Sequence, residues 1–194
     1  MRFIGFYDYT VILTYLSLVS AFGSMIFAHS QMFDLSMLCL LISGFCDAFD
    51  GTVARTKKNR TDDEKAFGIQ LDSLCDVVSF GIAPAFACYC TGIRSAVGVV
   101  TLCAYSICAV IRLAFFNVQE AKRQQTESGC NKYYRGLPVT ASSMIFPVFY
   151  QLYPLIPQKL FLTALTILTA VVAFLFVLDF QVKKPDLSKL IAVK

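Results

Sequence analysis

Two pairs of aspartates are the residues of this chain whose type and spacing could do chemistry. Asp47 and Asp50 lie three residues apart and Asp72 and Asp76 four apart, so on helices each pair would occupy one face. Both pairs stand at the ends of strongly apolar segments, where an unpaired carboxylate is costly. Four converging carboxylates would repel one another, and one or two divalent cations are the simplest remedy. Ligation by oxygen alone favours magnesium, manganese or calcium over zinc.

Two glycines and an arginine near these pairs indicate a phosphate-bearing ligand. Gly51 follows Asp50 directly and Gly68 lies one helical turn before Asp72, so a ligand could approach the backbone closely at both glycines. Arg55 would lie on the same helix face as Gly51 and could hold a phosphate through a fork of hydrogen bonds. The sequence therefore predicts a combined metal and phosphate site. The alternative is an intramembrane hydrogen-bond cluster without catalysis, in which this spacing would be accidental.

The same residues form one longer pattern, Asp47-x-x-Asp50-Gly51-x-x-Ala54-Arg55 followed by Gly68-x-x-x-Asp72-x-x-x-Asp76. This pattern resembles the signature of the CDP-alcohol phosphatidyltransferases, and all of its fixed residues are present and in order. One difference is the spacing between Arg55 and Gly68, which is longer here than is usual in the family. The extra length falls in the polar run Lys57–Lys65, which is predicted to be a loop that leaves the register of the flanking helices unchanged.

Three further runs resemble the branch of this family that uses serine as the acceptor. They are Leu71–Ala85, Arg112–Asn117 and Arg135–Pro138. Phe115 departs from the second run, because a second arginine is usual at that position. Without the resemblance, Arg112 could equally be a helix-end residue that reaches toward the membrane interface, and Arg135 could be an ordinary cytoplasmic charge.

The resemblance implies transfer of a phosphatidyl group from CDP-diacylglycerol to L-serine, with release of CMP, by a homodimer that needs Mg²⁺ or Mn²⁺, expected as two ions. The implied metal ligands are Asp47, Asp50, Asp72 and Asp76, with Asp76 also a candidate general base. The implied CDP-diacylglycerol-binding residues are Asp47, Gly51, Ala54, Arg55 and Gly68. Weaker candidates for binding the acceptor or the lipid phosphate are Ser79, Arg112, Asn117 and Arg135.

Composition indicates a membrane protein of one domain, residues 1–194. With 57% hydrophobic and only 15% charged residues and a mean hydropathy of +0.64, the chain does not have the composition of a soluble domain. Six apolar segments are predicted to cross the bilayer as an all-α bundle. They are Val11–Ala28, Met32–Arg55, Gly68–Cys90, Ala96–Asn117, Leu137–Leu155 and Leu160–Asp179. Five segments after the first disfavour a signal peptide at Val11–Ala28.

The distribution of positive charge predicts the orientation. If the amino terminus is cytoplasmic, every Lys and Arg except Arg94 and Lys159 falls on the cytoplasmic side, as the positive-inside rule requires. Both termini and the acidic site would then face the cytoplasm in a multi-pass protein of the cell membrane. The net charge of +4 is explained by this topology, and no nucleic-acid partner is expected.

Two other functions remain open at the level of sequence. The same transfer could use glycerol 3-phosphate or an inositol phosphate, and the acceptor pocket would then need more cationic groups near the third to fifth segments. A non-catalytic cation carrier belongs to another class altogether. A carrier would have polar groups spread through several spans, whereas the acidic residues here cluster at one predicted membrane face.

Overall fold

The computed structural model describes residues 4–7, 9–54, 56–57, 61–126 and 133–183. The described chain is almost entirely helical, and a π-helical segment, Val77–Ile82, joins the third and fourth helices. The helices are α1 Ile12–His29, α2 Phe33–Ala54, α3 Asp62–Asp76, α4 Ala83–Thr91, α5 Ala96–Thr126, α6 Ser142–Tyr150 and α7 Gln158–Val177. Short 3₁₀ turns precede α1 and α6, at Tyr9–Val11 and Val139–Ala141. Two three-residue strands, β1 Tyr133–Arg135 and β2 Gln181–Lys183, pair antiparallel.

In the described part of the chain, five helical stretches are long and apolar enough to cross a membrane, which agrees with a multi-pass helical membrane protein. They are Tyr9–His29, Phe33–Val53, Asp62–Thr91, Ala96–Ala121 and Gln158–Val177. The segment predicted over Leu137–Leu155 contains a shorter apolar helix, Val139–Tyr150. It ends early because Gln151–Leu155 form turns, as expected near Pro154, which disfavours helix at the residue before it. The count of six spans stays a prediction.

The start of α3 differs from the sequence prediction. The loop predicted over Lys57–Lys65 is wrong from Asp62 onward, because α3 begins there, six residues before Gly68. The reason is a capping box: Thr61 Oγ1 accepts a hydrogen bond from Glu64 N at 3.2 Å, and Glu64 Oε2 accepts one from Thr61 N at 2.9 Å. Gly68, Asp72 and Asp76 consequently lie on one continuous helix.

Helix α1 packs along the length of α2 and also contacts α3 and α4. Hydroxyl pairs join α1 to α2, with Ser17 and Ser43 oxygens 2.9 Å apart and Ser24 and Ser36 oxygens 3.0 Å apart. Small residues and hydroxyl hydrogen bonds of this kind allow helices to approach closely within a bilayer. By contrast, α2 and α3 have few close backbone contacts, whereas α1 packs against both, so α1 contributes to how the two carboxylate-bearing helices lie relative to each other.

The π-helical segment is held by hydroxyl groups from neighbouring helices. Tyr105 Oη donates to the Phe80 carbonyl at 2.5 Å and Ser142 Oγ donates to the same oxygen at 3.2 Å. Ser106 Oγ donates to the Gly81 carbonyl at 2.9 Å. Phe80 and Tyr105 are fully buried in the aromatic core between α5, α6 and α7. A π-helical turn commonly marks a functional site, and this one begins directly after Asp76.

Candidate active site

Three carboxylates from two helices converge at one place. Asp47 and Asp50 on α2 and Asp72 on α3 each present an oxygen, and these three oxygens lie within 4.8 Å of one another. All three side chains are half-buried. The spacing of three within α2 puts Asp47 and Asp50 on one face, and the packing of α1 brings α3 beside them.

The three carboxylates fit a hard divalent cation. Asp72 Oδ1 is buried and has no hydrogen-bond partner among the described residues, and a buried carboxylate oxygen normally has one. Carboxylate oxygens are the ligands that magnesium and manganese prefer. The donor set and the unpartnered oxygen are therefore what a metal site requires.

Asp76 lies one helical turn after Asp72, on the side of the cluster that faces a cavity. Its side chain is 8% exposed and lies within hydrogen-bonding reach of the Asp47 carboxyl group. Asp76 does not belong to the three converging carboxylates. It is positioned beside them, where it can contact both the cluster and a molecule in the cavity.

The cavity has a volume of about 180 Å³ and lies between the acidic cluster and α5. Its lining residues are Asp47, Asp76, Arg112, Leu113, Phe116, Pro138, Val139 and Thr140. Arg112 is 8% exposed, and its Nε donates to the Leu137 carbonyl at 3.3 Å. A buried guanidinium and two carboxylates thus share one small chamber, which suits a ligand that carries charges of both signs.

The loop after β1 explains how Arg112 is held. Gly136 has φ +70°, and a Cβ at this position would lie 3.0 Å from the Leu178 carbonyl oxygen, so a larger residue would be both strained and crowded. Gly136 N donates to the Phe180 carbonyl at 2.6 Å. These contacts fix the next residue, Leu137, whose carbonyl accepts from Arg112. Only the backbone of Arg135, in β1, is described, so its predicted role stays a prediction.

Ser79 and Asn117 do not line this cavity. Ser79 is fully buried in the π-helical segment, and its Oγ has no partner among the described residues. Asn117 Oδ1 accepts a hydrogen bond from Ser73 Oγ at 2.8 Å, which ties α5 to α3 beside Asp72. Phe115, where the family usually has an arginine, lines a second cavity of about 290 Å³ together with Arg112. Acceptor binding by Ser79 or Asn117 stays a prediction.

The predicted phosphate-binding residues lie near the junction of α2 and α3. Gly51 is exposed on α2, and a Cβ there would meet nothing within 4 Å among the described residues. Packing therefore does not require glycine at this position, and the space beside it is open to a ligand. Gly68 is half-buried on α3. Ala54 ends α2, but its side chain and the whole of Arg55 lie outside the described part of the chain.

Sequence reasoning missed Thr14. This residue of α1 is 6% exposed and donates its hydroxyl to Asp50 Oδ2 at 3.1 Å. A threonine within an apolar helix carries no signal of such a role, because its partner depends on how α1 packs against α2.

Together, the fold and the site define a helical membrane protein with three converging carboxylates beside a charged cavity. The chain belongs to the CDP-alcohol phosphatidyltransferase family, whose sequence model matches residues 9–178. The resemblance read from the aspartate pattern is thereby confirmed.

Curated relatives come from eukaryotes, bacteria and archaea. The CDP-diacylglycerol–serine O-phosphatidyltransferase of Saccharomyces cerevisiae is 38% identical over 113 residues, which are 57% of this chain and 40% of the relative. That of Bacillus subtilis is 38% identical over 89 residues, 45% of this chain and 48% of the relative. The archaetidylserine synthase of Methanothermobacter thermautotrophicus is 29% identical over 140 residues, 72% of this chain and 56% of the relative. This chain thus matches about half the length of these relatives.

Proposed function

We propose that this protein transfers the phosphatidyl group of CDP-diacylglycerol to L-serine, giving phosphatidylserine and CMP. The observation that carries the proposal is that Asp47, Asp76 and Arg112 line the same cavity. The relatives from Saccharomyces cerevisiae and Bacillus subtilis are named for the CDP-diacylglycerol and serine reaction, which supports the same activity here.

Asp47, Asp50 and Asp72 would hold the divalent cation, Mg²⁺ or Mn²⁺, with a second ion expected from the family resemblance. When bound, the cation supplies screening of the diphosphate charge and stabilisation of the leaving phosphate. The open space beside Gly51 leaves room for the CMP part of the lipid next to these carboxylates. Arg55 and Gly68 are proposed to bind the same nucleotide and diphosphate.

Asp76 is proposed to accept the proton of the serine hydroxyl. The hydroxyl oxygen then forms a bond to the lipid-side phosphorus, the bond from that phosphorus to the bridging oxygen breaks, and CMP leaves with that oxygen. Asp76 suits this role because it is buried, lines the cavity and lies beside the cluster rather than within it. A general base must lie within hydrogen-bond reach of the proton that it removes.

Arg112 is proposed to bind the serine carboxylate, since a buried guanidinium forms strong charge-assisted hydrogen bonds with carboxylates. It is the single cation among the described lining residues. Glycerol 3-phosphate or an inositol phosphate would bring a doubly charged group, which calls for more than one cation. The cavity therefore favours serine over both phosphorylated acceptors.

A cation carrier is disfavoured by the same arrangement. Among the described residues the candidate metal ligands cluster at one end of α2 and α3, and polar groups able to pass an ion onward would have to continue along several spans. The cavity adjoining the cluster instead leads to apolar residues and Arg112.

We also propose the finer topology predicted from sequence. Val139–Tyr150 would complete a sixth span with the turns that follow it, both termini would be cytoplasmic, and the active site would face the cytoplasm. The positive-inside distribution of lysine and arginine supports this orientation. The chain is proposed to act as a single domain and as a homodimer.

Purified protein is expected to release CMP from CDP-diacylglycerol when L-serine and Mg²⁺ or Mn²⁺ are both present. Release should be measured with L-serine, glycerol 3-phosphate and inositol phosphate as separate acceptors. CMP release only with a phosphorylated acceptor would support phosphatidyl transfer but would rule out serine as the acceptor. If folded protein released no CMP with any of the three acceptors, the cation carrier would become the favoured hypothesis.

Replacing Arg112 with methionine is expected to raise the KM for serine about 30-fold, because a hydrogen bond to a charged group contributes about 1.5–3 kcal/mol. The KM for CDP-diacylglycerol should change less than about twofold, since Arg112 is assigned to the acceptor alone. Steady-state kinetics with each substrate varied in turn would measure both.

Arg94→Met is the matched control for this substitution. Arg94 lies between α4 and α5, with its guanidinium 4.3 Å from the centre of the Tyr89 ring, and it does not line the cavity. Kinetics of Arg94→Met should match those of the unmodified protein. An unchanged KM for serine in Arg112→Met would remove Arg112 from the acceptor site.

A further inference from the structure

The two helices that carry the carboxylates approach each other at those side chains rather than along their backbones. Asp47 and Asp50 lie on α2 and Asp72 on α3, yet α2 and α3 have few direct contacts. The oxygens of the three side chains nevertheless converge within 4.8 Å, and metal ligands must be held to such distances if binding is to be strong. Elements that pack against both helices therefore contribute to their separation, and α1 is one of them.

The residues before and within the first turns of α1 contact both helices. Tyr9 Oη and Thr56 Oγ1 are 3.1 Å apart, and Thr56 comes two residues after the end of α2. The rings of Phe6 and Phe67 pack edge to face, with their centroids 5.5 Å apart, and Phe67 precedes Gly68 on α3. One short segment thus bridges the end of α2 and the first half of α3.

Thr14 extends this set of contacts to a carboxylate. Two other buried threonines, Thr91 and Thr169, donate to the carbonyl four residues earlier, those of Ala87 and Leu165. Thr14 instead donates across to Asp50 Oδ2 on α2 at 3.1 Å. A hydrogen bond to one oxygen of a ligating carboxylate fixes its orientation and leaves the other oxygen available.

We propose that Phe6, Tyr9 and Thr14 form a positioning element that sets the geometry of the carboxylate site from the amino-terminal side. Thr14 orients Asp50, and Phe6 and Tyr9 hold the start of α3 and the end of α2 at their observed separation. The inference rests on the proposed function for the identity of the ligands, a divalent cation and a CMP-bearing lipid. None of the three residues is assigned a contact with substrate.

Anchoring at the membrane interface is the simpler explanation for the aromatic residues of this segment, since tyrosine and phenylalanine favour that region. The two explanations differ for Tyr7. Its hydroxyl donates to the Ile4 carbonyl within the segment itself at 2.6 Å, and it is more exposed than Phe6 or Tyr9. An anchor would depend on Tyr7 at least as much as on Tyr9, whereas a positioning element would depend on Tyr9 and not on Tyr7.

The test of Thr14 is Mn²⁺ binding, which requires no turnover. Full-length protein in detergent, without lipid substrate, would be titrated with Mn²⁺ and the free ion measured by electron paramagnetic resonance. Thr14→Val keeps the shape but removes the donor, and it should weaken binding about tenfold, the lower end of the effect of losing a group behind a metal ligand. Thr14→Ser keeps the hydroxyl and should restore most of the affinity.

The test of the aromatic contacts is CMP binding, measured by calorimetry with Mg²⁺ present. Phe6→Ala should weaken binding about fivefold, in line with the worth of an aromatic pair, and Tyr9→Phe should weaken it by a smaller factor. Tyr7→Phe is the matched control and should bind CMP like the unmodified protein. If Phe6→Ala failed to fold, comparing the CMP affinities of Tyr9→Phe and Tyr7→Phe would still test the positioning role.

The outcomes separate this inference from the proposed function. Tight Mn²⁺ binding by Thr14→Val, or equal CMP affinity in Tyr9→Phe and Tyr7→Phe, would overturn the positioning role even if the unmodified protein released CMP with serine. Weakened Mn²⁺ binding by Thr14→Val together with weakened CMP binding by Tyr9→Phe would support the positioning role even if serine proved to be the wrong acceptor. If the unmodified protein bound no Mn²⁺, this inference and the proposed metal site would both be wrong.

Discussion

Replacing Asp76 with asparagine is expected to lower the rate of CMP release with serine about a thousandfold, within the range that general base catalysis contributes. The amide keeps the size of the side chain and its place beside Asp47, but it cannot accept the hydroxyl proton. Asp76 is buried and lines the cavity, so bulk water has limited access to replace it as base. Single-turnover CMP release by detergent-purified protein would measure the effect directly.

Mn²⁺ affinity separates the two roles that the family resemblance leaves for Asp76. Since the converging oxygens belong to Asp47, Asp50 and Asp72, Asp76→Asn should retain Mn²⁺ binding within about tenfold while losing turnover. Loss of metal and turnover together would make Asp76 a ligand instead. Near-normal turnover would remove it from the mechanism altogether.

Asp34→Asn is the matched control for substitutions in the acidic cluster. Asp34 lies in the first turn of α2, about 20 Å along the helix axis from Asp47 at 1.5 Å per residue. The same substitution at that distance tests whether the effect of Asp76→Asn depends on its position in the site. A general effect of replacing an aspartate in these helices would appear in Asp34→Asn as well. Turnover and Mn²⁺ binding of Asp34→Asn should equal those of the unmodified protein.

The aspartate cluster was the most predictable part of the site. Acidic residues are costly inside apolar segments, so their presence at helical spacing in two segments already indicated a shared ligand, and three of them do converge. The start of α3 is also predictable from sequence, because Thr61 and Glu64 have the spacing of a capping box. The loop prediction fails there because the polar composition of Lys57–Lys65, which favours a loop, is also compatible with an exposed first turn of a helix.

Other parts of the site depend on packing that hydropathy does not encode. The hydrophobic pattern of the sequence does not predict the π-helical segment, which changes the direction of Ser79 relative to Asp76. This segment is held by hydroxyls of Tyr105 and Ser142 from distant parts of the chain. The pairing of Thr14 with Asp50 likewise depends on how α1 rotates against α2. Sequence could identify which residues carry charge, whereas the groups that orient them required the assembled helices.

Replacing Asp72 with asparagine is expected to abolish metal-dependent activity and to raise the thermal stability of the metal-free protein by a few degrees. Without metal, Asp72 has a buried oxygen that lacks a partner, and its burial beside two other carboxyl groups disfavours its charged form. An amide removes the charge and can donate to Asp50. Thermal unfolding of detergent-purified protein with and without Mn²⁺ would measure both changes.

The contrast between metal-free and metal-loaded protein is what distinguishes a binding site from a structural cluster. In the unmodified protein, Mn²⁺ at about 100 times its Kd should stabilise the fold by about 2.7 kcal/mol, which corresponds to roughly 5–10 °C for a chain of this length. Asp72→Asn should lose this increase, while Asp34→Asn should retain it. If Asp72→Asn kept the full increase, the three carboxylates would not hold the cation. If Asp72→Asn instead lowered the stability of the metal-free protein, the Asp72 carboxyl group would make net favourable contacts in the absence of metal. The cluster would then be a hydrogen-bonded structural element.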